Sequence, residues 1–205
     1  IKDQLAYEIK AIVAGNHVND DIGFERVCPA LSLSFYECIE NAKDYAWGGA
    51  KSNLGNGIHA LGVADLINSV YAVKKLVFDD EKLDMQHLLD ALVHDFVGYE
   101  DVQQLCLDAP KYGNDDCEEL ENLTADLFTF LADYIESFSS RFGHMTSGIL
   151  PVSGNTQFGP EVGSMPSGRN AFQPLTDGVR DTVGTDDQGK VAWVNNVPFT
   201  RAQRF

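Results

Sequence analysis

Histidine, cysteine and the acids are the side chains able to move protons, hold metals or act as nucleophiles, and their spacing limits the chemistry open to this chain. The five histidines, His17, His59, His87, His94 and His144, form neither H-x-x-x-H nor H-E-x-x-H, which removes the usual helical zinc patterns. His87 and His94 belong to a helix and are expected to be partly exposed. His59 differs, because it lies in the apolar run Ile58 to Leu61, where period-2 alternation puts it on the face of Leu61. It is the histidine best placed to enter a pocket, against the plainer alternative of a structural histidine. Cys28, Cys38, Cys106 and Cys117 contain no C-x-x-C pair, so reduced, partly buried thiols are expected rather than a metal centre. Asp115, Asp116, Glu118 and Glu119 lack the spacing of a calcium loop. They complement the positive end of a helix.

The segment Gly48 to Gly57, GGAKSNLGNG, offers two nucleotide patterns. A phosphate loop needs Gly directly before the Lys, and Ala50 stands there. Gly55-x-Gly57-x-x-Ala60 matches the looser dinucleotide pattern, with Asp79 and Asp80 about twenty residues on. That pattern must follow a buried strand, and AWGGAKSNL is not one. The glycines are better read as allowing close backbone packing.

The elements that position these residues follow from apolar spacing. Residues 1 to 14 predict a helix through Leu5, Ile9, Ile12 and Val13, stopped by Gly15-Asn16. A second helix is expected over Pro29 to Trp47, a short strand at 58 to 61, and a third helix carrying Val63, Leu66, Ile67, Val70, Val73 and Val77 inward. Asp84 is the expected N-cap of a fourth helix with Leu88, Leu89, Leu92, Val93 and Phe96 inward. A fifth covers roughly Tyr99 to Asp108, and the longest is expected from Leu120 to Phe138. Nine of the 18 glycines and five of the seven prolines then fall after Phe142, so this part should be strand and loop. Ser147 to Phe158 reads as extended, followed by a long ordered loop.

Composition narrows the class. With 44% hydrophobic and 22% charged residues the chain is of ordinary globular type. The net charge of −16 opposes nucleic-acid binding. From Gly143 onward five acids balance five bases, so the excess lies on the helical part as solvated faces. No apolar run reaches membrane length and IKDQLAYEIK is no signal peptide, which leads us to expect a cytoplasmic protein. A first residue other than Met, and a start within a helical pattern, suggest a piece of a longer chain.

Four blocks in order resemble a known family: GGAKSN, then G-V-A-D before VYAVKKLVFDD, then APKYGND at Ala109 to Asp115, then PSGRNAFQPLTDG at Pro166 to Gly178. Together they are similar to the later half of glycyl radical enzymes of the pyruvate formate-lyase-like group, from about Cys28 to about Gln188. The resemblance implies an α/β fold, the helix-rich part of a ten-stranded α/β barrel. In one domain spanning 1–205, residues 1–142 would be mainly helical shell with one barrel strand near 58–62, and 143–205 a barrel strand with long loops. It implies a lyase that cleaves C–C, C–O, C–N or C–S bonds of a small-molecule substrate through a thiyl radical. A backbone glycyl radical generates that thiyl and is itself installed by a radical-SAM activating enzyme. No bound cofactor and a homodimer of the full-length chain are implied. A dry barrel is the physical requirement of such chemistry. Leu150 falls where related dehydratases carry a pocket-facing tyrosine and Val152 shares its face, which implies a candidate site of Leu150, Val152 and His59 with an apolar wall.

The departures are specific. No cysteine sits in a Gly-Cys-Val-Glu loop, and Arg26-Val27 is followed by Cys28-Pro29 rather than by the radical glycine. No catalytic residue is therefore expected within these residues, and the piece alone should be inactive. Asp65 and Asn68 stand in the reverse of the family's Asn-then-Asp order. A non-catalytic structural or interaction protein derived from the family is the alternative reading.

Overall fold

The computed structural model describes residues 1–51, 56–113, 117–149 and 154–178, and the chain divides into two compact units. The first unit comprises 1–58 and 129–148. Its main element is helix α1, Lys2–Glu25, which runs well past the expected stop at Gly15. An added Cβ at Gly15 would meet nothing, and a helical glycine costs only about 1 kcal/mol. Contacts made beyond it offset that cost. A His17 ring nitrogen lies 2.9 Å from the Ser139 carbonyl, Asn56 Nδ2 donates to Asp20 at 2.6 Å, and Arg141 pairs with Asp21 at 2.7 Å.

The expected single helix over Pro29–Trp47 is instead three short turns: α2 at Pro29–Ser32, α3 at Tyr36–Glu40, and a 3-10 turn at Tyr45–Trp47. Asp44 explains the break. Its carboxylate accepts from the backbone N–H of Cys28 at 3.2 Å, the Ser32 hydroxyl at 2.8 Å and the Ala46 N–H at 2.9 Å. A chain folded back on one carboxylate cannot remain one helix. Strand β1, Gly57–Ala60, joins β4, Thr146–Ile149, in a two-stranded sheet, and the Thr146 N–H donates to the Asn56 carbonyl at 3.3 Å. Strands β2 (Ser139–Ser140) and β3 (Gly143–His144) form a small antiparallel hairpin.

The second unit comprises 59–128 and the residues from Ile149 onward. Helix α4, Val63–Val73, starts after Gly62 and widens into a π-turn over Lys74–Asp79. Helix α5 is Met85–Val93, with Asp84 as the expected cap accepting from Gln86 and His87 N–H. It ends earlier than its apolar spacing implies. Asp95 and Phe96 take positive φ of 51° and 60°, and Phe96 is buried from a turn. Leu89 and Val93, expected inward, are exposed. Helix α6 is Glu100–Asp108 and α7 is Glu118–Glu136. With 19 residues α7 is shorter than α1 with 24, contrary to the expectation that it is the longest. The last part of the expected strand over Ser147–Phe158 is helix α8, Gly154–Phe158.

Two apolar clusters hold the second unit. Val63, Ala64, Ile67 and Tyr71 of α4 pack with Tyr112, Leu120, Leu127 and Phe128. Ala72 and Leu76 pack with Leu88, Ala91, Phe96, Val102 and Cys106. Helix α4 contributes to both because its buried positions wrap more than one face, as expected of a helix with neighbours on two sides.

Candidate functional site

The second unit builds its polar centre at the start of α4. β1 runs into Leu61 and Gly62, and Gly62 adopts φ +66° with the Leu175 side chain packed over it, so that a Cβ there would sit 3.2 Å from Leu175 Cδ2. Three residues on, Asp65 is fully buried and accepts the Thr176 N–H at 2.7 Å. Burial pushes this carboxyl above its usual range, opposed by the Thr176 N–H and hydroxyl and by the charge of Arg169. One turn later Asn68 Oδ1 accepts the Tyr112 N–H at 2.7 Å. The buried Lys111 donates to the Cys106 carbonyl at 2.5 Å.

The loop from Gly159 to Thr176 folds around Arg169. The guanidinium donates to carbonyls on both limbs: Gly159, Val162 and Gly163 on one, Gln173 and Pro174 on the other. Gly159 is obligatory, because a Cβ would lie 2.4 Å from the Gln173 oxygen and 2.7 Å from Pro174 Cα. The outer rim is tied to the helices. Ser164 Oγ donates to the Leu92 carbonyl at 2.5 Å, the Ala171 N–H to Asp95 at 2.7 Å, and Gln103 Nε2 to Gly168 O and Asn170 Oδ1. Such loops inside compact proteins commonly serve function.

Of the residues singled out from sequence, His59 lies on the exposed side of β1, opposite buried Ile58. Leu150 and Val152 lie outside the described residues. Sequence reading missed Asp65 and Arg169. Their signal is an acid three and four residues before Asn68 and Ser69 on one buried helix face and a lone arginine in a neutral glycine-rich loop, and neither alone names a partner.

Two of the four cysteines are of structural character. Cys38 and Cys106 are buried, and burial pushes the Cys106 thiol up to about 11 despite the nearby charge of Lys111. A thiol held protonated is a poor nucleophile. Cys117 Sγ lies 3.2 Å from the Tyr71 hydroxyl. Among the described residues no group of three or more His, Cys, Asp or Glu could hold a metal ion. No described helix is long and apolar enough to cross a membrane.

Small cavities lie among the described residues of the first unit. One of about 280 Å³ is lined by Pro29, Leu33, Cys38 and Ile39 with Asp44. Another of about 220 Å³ is lined by Asp20, Phe24, Tyr45, Asn56 and Phe142. Both are below the size usual for organic-ligand pockets.

Comparison with known proteins gives one consistent answer. The pyruvate formate lyase-like family profile matches residues 1–159. Trans-4-hydroxy-L-proline dehydratase of Clostridioides difficile is 33% identical over 201 residues, which is 95% of this chain and 25% of the dehydratase. Isethionate sulfite-lyase of Bilophila wadsworthia is 38% identical over 133 residues, 64% of this chain and 16% of the lyase. The glycerol-bound B12-independent glycerol dehydratase of Clostridium butyricum superposes with a TM-score of 0.88 at 34% identity, covering 99% of this chain and 26% of the dehydratase. The chain thus spans about a quarter of the length of the dehydratases it matches. It belongs to the pyruvate formate lyase-like family of glycyl radical enzymes and has the fold of the helix-rich part of their α/β barrel.

Proposed function

We propose that this chain supplies barrel wall and helical shell to a glycyl radical lyase or dehydratase acting on a small molecule. The observation that carries the reading is the agreement of sequence and fold over nearly the whole chain, 33% identity over 95% of it and a TM-score of 0.88 over 99%. In the proposed enzyme a cysteine and a radical glycine outside the recognised motifs of these residues perform hydrogen abstraction and radical storage, after activation by a radical-SAM enzyme. The residues described here shape the cavity and exclude water, which such chemistry requires.

Leu150, Val152 and His59 are proposed to line the substrate pocket. Two apolar side chains in that wall favour a less polar substrate than glycerol. Relatives that remove water from hydroxyproline or sulfite from isethionate share this part of the chain, so the bond cleaved is set by residues that differ among them.

The test uses the complete protein, activated anaerobically by a radical-SAM activating enzyme. Electron paramagnetic resonance is expected to show a glycyl radical doublet. Product is expected from propane-1,2-diol in preference to glycerol, trans-4-hydroxy-L-proline or isethionate. No doublet under conditions that activate a related dehydratase would overturn the proposal.

A further inference from the structure

We infer that Arg169 and Asp65 are positioning residues that lock the 159–176 loop as a fixed strap over the turn between β1 and α4, and so hold the β1 end carrying His59. The inference rests on the proposed enzyme for its functional half and on geometry alone for its structural half. Arg169 bonds to carbonyls at both ends of the loop, from Gly159 to Gly163 and at Gln173 and Pro174, using all three guanidinium nitrogens. It is therefore a cross-brace and not a surface charge. Carbonyl oxygens solvate the cation but do not neutralise it. Asp65 and Asp95 supply the opposing charge, and each also holds loop backbone, Asp65 at Thr176 and Asp95 at Ala171.

The strap meets the β1 to α4 turn at two adjacent points. Leu175 covers Gly62, where an added Cβ would come within 3.2 Å of the leucine and the positive φ disfavours any side chain, and Thr176 is tied to Asp65 three residues further on. The same stretch is fixed from the other side, because Asn155 and Leu175 exchange hydrogen bonds of 3.1 and 3.2 Å. His59 lies three residues before Gly62 on the strand that enters this turn. Displacing the strap would free the turn and shift the end of β1. A displacement near 1 Å at such a wall can lower turnover about 100-fold.

The experiment compares the complete wild-type protein with Arg169→Met, Arg169→Lys and Asp65→Ala. Hydrogen exchange on the wild type should show the Thr176 amide protected by at least about 100-fold over an open loop. In Arg169→Met and Asp65→Ala, protease cleavage within 159–176 should rise about tenfold. Glycyl radical content should stay within about twofold of wild type, while kcat/KM on the preferred substrate of the four named above falls about 100-fold. Arg169→Lys should behave like Arg169→Met, because an ammonium has no planar fork to reach both limbs. Wild-type rates of cleavage in both variants, or full rescue by Lys, would overturn the brace. A loosened strap with unchanged kcat/KM would overturn its positioning role. If a variant fails to fold, the Thr176 amide in the wild type decides the anchor, and exchange at open-loop rates overturns it. A wild type without radical or product instead refutes the enzyme reading and the functional half with it, while exchange and proteolysis still judge the strap.

Discussion

Replacing Ile67 by Ala tests the core beneath the polar centre. Ile67 has no exposed surface and packs among Val63, Ala64 and Tyr71 of its own helix and Leu120, Leu127 and Phe128. The substitution removes three carbons, worth about 0.8 kcal/mol each in transfer, or about 2.4 kcal/mol. A cavity of roughly 75 Å³ that cannot collapse adds about 1.8 kcal/mol. The sum, about 4 kcal/mol, sits within the range for large-to-small core changes, and partial relaxation lowers it toward 3. Urea unfolding followed by far-UV circular dichroism reads the change directly, and a fall of roughly 10 °C in midpoint temperature should accompany it. Val93→Ala is the internal control. Val93 is 81% exposed, so its truncation should alter stability by no more than about 0.5 kcal/mol. If Ile67→Ala costs less than about 1 kcal/mol, or the two variants cost the same, α4 is not the centre of this unit and the placement of Asp65 on its buried face fails with it.

Three further outcomes follow from particular contacts. The Tyr71 hydroxyl lies 3.2 Å from both Cys117 Sγ and Glu119 Oε2, and burial together with those neighbours pushes the phenol up. The folded state then keeps a proton that the unfolded state has lost, so stability falls as pH rises above about 10. Tyr71→Phe should flatten that fall, as measured by urea midpoints between pH 8 and pH 11, and an unchanged slope would refute the assignment. For Asp44, partial burial raises the carboxyl pKa, but the Ala46 N–H, the Ser32 hydroxyl and the Cys28 N–H outweigh it and leave the carboxyl below its usual range. Its contribution is present above the unfolded carboxylate pKa of about 3.9 and is lost as pH falls through the lower folded value. Asp44→Asn should therefore unfold with a shallower acid limb, monitored by Trp47 fluorescence, and an identical limb sinks the hub. At Gly49 an added Cβ would lie 2.0 Å from the Lys43 carbonyl oxygen and 2.8 Å from its carbon. Because that neighbour is backbone, Gly49→Ala should cost about 3 kcal/mol or more in urea unfolding, the upper end for overpacking. A neutral result would place the Lys43 carbonyl elsewhere.

The parts of the fold legible in the sequence are those where one local signal suffices. The Asp84 cap, the apolar stripe of α7 and a short strand before α4, expected at 58–61 and found at Gly57–Ala60, were readable from capping and periodicity. The signals that misled are those a distant contact overrides. Gly15-Asn16 reads as a stop, yet His17, Asp20 and Asp21 find partners at Ser139, Asn56 and Arg141, and those partners lie far along the chain. The apolar spacing over 29–47 is real, but one carboxylate at Asp44 collects three donors and folds the segment into turns. Phe96 fits the α5 period and is buried, only from left-handed backbone after the helix has ended. For the site, alternation puts His59 on the face of Leu61, and in the structure that histidine is exposed while Ile58 beside it is buried. The pairing of Asp65 with Thr176 spans 111 residues, and no local pattern encodes it.

The reversed order of Asp65 and Asn68 has a physical reading once both partners are known. The two side chains lie three apart on α4 and are fully buried. Each accepts one backbone N–H from a remote segment, Thr176 for Asp65 and Tyr112 for Asn68. A carboxylate oxygen and an amide oxygen can each accept a single N–H, so exchanging the residue types preserves both tethers. What the exchange moves is charge. With Asp at 65 the negative charge sits in the first turn of α4, where the unsatisfied N–H groups make the helix end positive. There it also opposes the Arg169 guanidinium. With Asp at 68 the charge would lie one turn further from that end, beneath the Tyr112 N–H. The order in this chain therefore gives the residue that tethers Thr176 a share of the counter-charge as well, so that Asp65 fixes the strap backbone and, together with Asp95, opposes the charge of Arg169.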